Sequence, residues 1–221
     1  MAFTPDIIEQ LARARADLRM GVPVVLTGDG AALVLAAETL TPQRLADVLA
    51  LGGTPVLAIT ARRAETLKAR PYDGDLARLT LPMDASLAWV QAIADPADDL
   101  RSPMKGPLIS ARDGDALAHR AALALCKSAR LLPAAVVLPL DDAGPFATQH
   151  ALTTLPLARL ADHIASASPL HPIVAARLPM EATEAGRLHI FRPEDGAEEH
   201  YAIEIGRPDR SKPVLARLHS A

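Results

Sequence analysis

GDALAHRAALALCKSARLLPAAVVLPL, residues 114–140, is the stretch on which the fold class turns. Its first part, Asp115 to Arg130, is rich in alanine and leucine and free of proline, the composition of a buried helix. Leu132-Pro133-Ala134-Ala135-Val136-Val137-Leu138 then reads as the strand that follows. A helix handing over to an apolar strand argues for α/β layers. Two residues on the helix carry chemistry: Cys126 is read as a small core residue and His119 as an ordinary helix residue.

Upstream the same alternation continues. Pro5 to Met20 places Ile7, Ile8, Leu11 and Leu18 at helical spacing, and Gly21 stops it. Val22 to Leu26 and Ala31 to Ala36 are apolar runs around Thr27-Gly28-Asp29-Gly30, which reads as a tight turn between two strands. Gly28-Asp29-Gly30 lacks the third glycine or the Lys-Ser/Thr that a phosphate loop needs. Thr41-Pro42 is an N-cap with proline at the first helical position, Gly52-Gly53 closes that helix, and Pro55 to Thr60 is a third strand. From Leu67 to Gly114 prolines break the period, so loops and short helices are expected. Within that span Asp95, Asp98 and Asp99 read as a solvated acidic loop, and Arg62-Arg63 as a pair on a helix surface.

Downstream, a helix is expected from Leu157 to Ala165, then a bend at Pro169 and Pro172. Beyond it Arg187 to Arg192, Glu199 to Ile205 and Val214 to His219 are strand-like segments between turns. A layered α/β domain over 1–170 followed by a β-rich unit over 173–221 is the expected organisation, the second unit stopping within its third strand.

Composition bounds the function classes. Half of the 221 residues are hydrophobic, enough for a substantial core. The formal charge is -3 with no basic block, so nucleic acid is not an expected partner. The apolar runs are short and proline-interrupted, so no membrane partner is expected either. A single cysteine excludes an internal disulfide and a thiolate-rich zinc site built from this chain alone, and fits a cytoplasmic protein.

Asp17-Leu18-Arg19-Met20-Gly21-Val22-Pro23-Val24-Val25, Leu33-Val34-Leu35-Ala36-Ala37-Glu38 with Thr41-Pro42, Gly114 to His119, Ala129 to Val136, and Phe146-Ala147 with His150-Ala151-Leu152 occur in the order and spacing of one known family. Over some 140 residues the chain resembles 3,4-dihydroxy-2-butanone 4-phosphate synthase, which converts ribulose 5-phosphate to a riboflavin precursor. The resemblance implies Mg²⁺ held by a long acidic loop and by the histidine of a His-Thr-Glu-Ala segment. Here the loop keeps one carboxylate, Asp29, and the segment reads His119-Arg120-Ala121-Ala122. The family's Gly-Ile-Ser-Ala-x-Asp-Arg loop has no counterpart in residues 84–94. Enolising a sugar phosphate takes a base and a metal in one site. Asp29 and His119 are therefore expected as relics of a site, in a domain with no catalytic residues.

Leu178-Pro179, Gly186, His200 and Pro213-Val214-Leu215-Ala216-Arg217-Leu218-His219-Ser220 are similar to the opening of GTP cyclohydrolase II. By that resemblance Arg217, Leu218, His219 and Ser220 line a GTP site, incomplete here, and zinc is the cofactor of the complete cyclohydrolase, its cysteines expected after Ala221. The expectation is a homodimeric, non-catalytic synthase-like scaffold attached to a cyclohydrolase, with the alanine-rich helix packing across the dimer. The alternatives are an active Mg²⁺-dependent synthase and a metabolite-binding regulatory module.

Overall fold

In a computed structural model of the chain, residues 3–97, 99–164 and 169–219 are described. The chain divides between residues 166 and 167 into two compact units. The first contains α1 (Ile7–Arg19), β1 (Val24–Thr27), β2 (Ala32–Ala36), α2 (Pro42–Ala50), β3 (Val56–Thr60), α3 (Ala61–Thr66) and β4 (Leu76–Thr80). It continues with α4 (Leu87–Ala94), α5 (Leu117–Ser128), β5 (Ala134–Pro139), α6 (Ala143–Gln149), β6 (Thr154–Pro156) and α7 (Leu157–Ile164).

Local chemistry sets these boundaries. Asp6 and Glu9 form a reciprocal capping box on α1, and the Thr41 hydroxyl caps α2 with Pro42 behind it. Between α1 and β1, Gly21 has φ +71°, and a Cβ there would stand 2.4 Å from the Thr39 carbonyl oxygen, so no side chain fits. The strands assemble into a mixed six-stranded sheet in the order β4-β3-β5-β2-β1-β6. All neighbours are antiparallel except β1 and β6, which run parallel.

Alternation along the strands divides the core in two. Val24, Leu26, Val34, Ala36, Ala58, Ala135 and Val137 pack with α1, α5 and α7. Val25, Leu33, Leu35, Leu57, Ile59, Val136 and Leu138 pack with α2, α3, α4 and α6 on the opposite face. The fold is α/β, with helices on both faces of the sheet. On the α5 face, register aligns Ala58, Ala135 and Ala36 on neighbouring strands. Ala118 and Ala122 of α5 are buried in the same core, so the alanine-rich helix packs onto a row of small side chains.

That burial changes the expectation for α5. Ala118, His119, Ala122, Leu123, Leu125 and Cys126 are all buried within this chain. The apolar side expected to face a second subunit is already used against the sheet and its neighbouring helices. A further departure lies in the proline-broken region. It holds the short helix α4, as expected, and also a strand, β4, whose apolar run is interrupted by Arg78.

The second unit is an antiparallel meander of β7 (Leu170–Arg177), β8 (Arg187–Pro193) and β9 (His200–Glu204). β8 and β9 lie where the sequence placed strands. Residues 213–219 are not a strand; the remaining strand is β7, in the segment that read as a bend. Pro172 fits there because β7 is an edge strand with a register shift between Pro172 and Val174. Cross-strand register sets the faces: Ala175, His189 and Ala202 share one, while Leu188 with Ile203 and Ile190 with Tyr201 share the other. Among the described residues no helix is long and apolar enough to cross a membrane.

Candidate functional site

His119 stands in the first turn of α5, 7% exposed. Neither ring nitrogen has a hydrogen-bond partner. Burial, and then the nearby positive charge of Arg78, push its pKa down to about 4. The imidazole is therefore neutral near pH 7. Its surroundings are made of arginine–carboxylate pairs. Arg78, buried on β4, donates from Nε and Nη2 to the Asp73 carboxylate at 2.8 and 3.0 Å, and from Nη1 to the Asp113 carbonyl at 2.8 Å. Arg120 donates to both carboxylate oxygens of Asp75 at 2.9 Å, and this bonding holds the Asp75 carboxyl below its ordinary value. Asp73 and Asp75 are each engaged by a guanidinium in a bidentate arrangement, while Asp115 accepts from the Leu117 N–H.

Asp29 is exposed in the turn between β1 and β2, flanked by Gly28 and Gly30 at φ +105° and +82°. The charged groups that bear on His119 are Arg78, Asp73, Asp115 and Arg120, and Asp29 is not among them. Cys126 is fully buried on α5, with burial pushing its thiol up to about 12 and Sγ directed to the Ala134 carbonyl at 3.7 Å. Such a thiol stays protonated and serves neither as nucleophile nor as metal ligand.

Arg63 was expected on a helix surface and is instead half-buried, its side chain 10% exposed. It closes the C-terminal end of α4, donating to the carbonyls of Ala92, Ile93 and Asp95 at 3.0, 2.6 and 3.1 Å. Its guanidinium also pairs with Asp99, whose other partner is the buried Lys105. The two cations hold the Asp99 carboxyl far below its usual range. Asp99 thus belongs to an ion triad that pins the loop after α4, and not to a solvated acidic loop; Asp98 lies outside the described residues. These partners are 36 and 6 residues apart in sequence, so no local spacing signals the triad. Beside this loop a cleft of about 540 Å³ is lined by Glu38, Gln91, Asp95, Arg101, Ser102 and Leu132. Glu38 is pinned there by the Leu132 N–H at 2.6 Å.

In the second unit, His189 on β8 contacts Glu204 on β9 at 2.9 Å, and Arg210 reaches the same carboxylate oxygen at 3.2 Å. Arg217, Leu218 and His219 follow on irregular, exposed backbone, and among the described residues no hydrogen bond or ion pair holds Arg217 or His219. Ser220 lies outside the described residues.

A metal fits this arrangement poorly. Among the described residues no three His, Cys, Asp or Glu side chains converge. Mg²⁺ asks for several free oxygen ligands, whereas Asp73 and Asp75 are taken by arginines whose charge opposes a cation. Zinc asks for thiolates or imidazoles grouped around one point, and Cys126 is protonated and enclosed.

No family model matches the sequence. Individual proteins do. A protein named GTP cyclohydrolase-2 from Azospirillum brasilense is 35% identical over 216 residues, covering 94% of this chain and 56% of that protein. Proteins of the same name from two strains of Xylella fastidiosa, Temecula1 and 9a5c, are 32% and 30% identical over 220 residues, covering 95% of this chain and 51% of each. The likeness runs through both compact units, and the chain spans about half the length of these relatives.

Proposed function

We propose that this chain is the leading part of a GTP cyclohydrolase II of riboflavin biosynthesis, with a synthase-like first unit that acts as a scaffold or dimerisation domain and catalyses no reaction itself. The observation that carries the reading is the extent of the likeness. It covers both units of this chain and only about half of each GTP cyclohydrolase-2. A first unit shared with those proteins travels with cyclohydrolase sequences, and the second unit then forms the opening strands of the catalytic domain. Arg217, Leu218, His219 and Ser220 are the residues this reading assigns to GTP. The hydrolytic chemistry belongs to the part of the polypeptide outside the matched stretch, where zinc would be held.

The chemistry of the first unit supports an inert scaffold. Enolisation of ribulose 5-phosphate needs a base beside a metal-stabilised enediolate. The neutral, enclosed His119 and the solitary, exposed Asp29 do not supply that pair. The purified chain, supplied with ribulose 5-phosphate and Mg²⁺, should show no turnover. Turnover that disappears in His119→Ala would overturn the scaffold reading in favour of an active synthase.

A further inference from the structure

In the second unit one carboxylate ties together two strands and the start of the tail. Glu204 closes β9, and its Oε2 meets Nε2 of His189 on β8 at 2.9 Å. The same oxygen accepts from Nη2 of Arg210, in the turn that follows β9, at 3.2 Å. The Glu204 side chain is 20% exposed and that of His189 24%, so this pair sits partly out of water. The bond from His189, with the charge of Arg210 beside it, holds the Glu204 carboxyl below its ordinary value, and it is ionised near pH 7. The turn carrying Arg210 has its own internal bonds. Asp209 accepts from the Ser211 N–H and hydroxyl at 3.0 and 2.7 Å, and the Lys212 N–H returns to the Asp209 carbonyl at 3.1 Å. From Pro213 to His219 the backbone is irregular and exposed.

We propose that Glu204 is a positioning residue for the tail segment assigned to GTP, anchoring it through Arg210 and raising affinity for the nucleotide without contacting it. The assignment to GTP rests on the reading of the chain as the leading part of a cyclohydrolase. The anchor roughly halves the length of free chain between the sheet and Arg217, and the entropy of holding a segment's end in place grows with the logarithm of its length. Halving that length raises the local concentration of Arg217 at a fixed site about two- to threefold. Arg210 is itself exposed, so the tether is a weak one and a small effect is expected. Charge alone acts in the opposite direction. An anionic triphosphate is repelled by Glu204, so removing the carboxylate would strengthen binding, whereas losing an anchor weakens it.

The sign of the change in KM separates the two effects, read on this chain joined to the unmatched portion of the Azospirillum brasilense protein. Glu204→Ala and Arg210→Gln should each raise KM for GTP about two- to threefold at unchanged kcat. Arg210→Lys, which keeps a cation within reach of Glu204, should stay near the unaltered value. Arg207→Gln removes a neighbouring charge that has no hydrogen bond or ion pair among the described residues, and it should leave KM as it was. A KM that falls or stays constant in Glu204→Ala would overturn the proposal, as would an equal rise in Arg207→Gln. Backbone amide relaxation on the chain alone reads the anchor directly. Order parameters at Arg210 and Ser211 should fall in Glu204→Ala while those of Tyr201 to Ile203, which report the folded sheet, hold. Unchanged values at Arg210 would also overturn the proposal. If the unaltered joined polypeptide leaves GTP intact, the cyclohydrolase reading fails, and the relaxation measurement still decides whether Glu204 holds the tail.

Discussion

His119 carries a pH signature that follows from where it sits. Its folded pKa, about 4, lies below the ordinary 6.5, so between those values the unfolded chain binds the extra proton. Its contribution to stability is complete above about pH 6.5 and is lost as pH falls towards 4. Between pH 7.5 and pH 5 the loss should be roughly 2 kcal/mol. Asp75 and Asp99, with depressed carboxyl pKa values, add their own acid loss only below about pH 4, so they leave this window to His119. Urea unfolding at both pH values should show most of that difference vanish in His119→Leu. The same pH dependence in both proteins would mean that the ring reaches solvent or a partner. The sequence presents His119 on a helix, but the charge that bears on it comes from Arg78 on β4, which breaks the apolar run that would have announced the strand.

At the scale of elements, the helix-to-strand passage from α5 to β5 is legible because propensity, period and proline placement agree there. The hairpin around Asp29 and the caps at Thr41 and Pro42 are legible for the same reason, since each is a local signal. What is hidden depends on distant partners. β4 is stabilised by pairing with β3 and by Arg78 bonding to Asp73 and to the backbone of Asp113, and none of this appears in its own five residues. β7 is hidden by Pro169 just before it and by Pro172 within it, the latter tolerated because the strand lies at a sheet edge. The row of Ala58, Ala135 and Ala36 appears only once register is known. It sets how closely α5 approaches the sheet, so Ala135→Leu should cost about 1–3 kcal/mol through overpacking. Thermal or urea denaturation checks this, and a stability change below about 0.5 kcal/mol would show room between helix and sheet that the burial of Ala122 and Ala135 denies.

For the whole molecule, the two units differ in how they are stabilised, and the difference parallels their proposed roles. The first unit covers both faces of its sheet with its own helices, as a scaffold should. The second exposes every residue of β7 and most of β9, on both faces of its small sheet. Of the tail residues proposed for GTP, Arg217, Leu218 and His219 sit on irregular, exposed backbone. The likeness to proteins named GTP cyclohydrolase-2 across both units gives this contrast its functional reading. The most direct measurement is GTP consumption by this chain joined to the unmatched portion of the Azospirillum brasilense protein, with the unjoined chain assayed alongside. The account predicts consumption by the joined polypeptide and none by the chain alone; a joined polypeptide that folds, binds zinc and leaves GTP intact would contradict it.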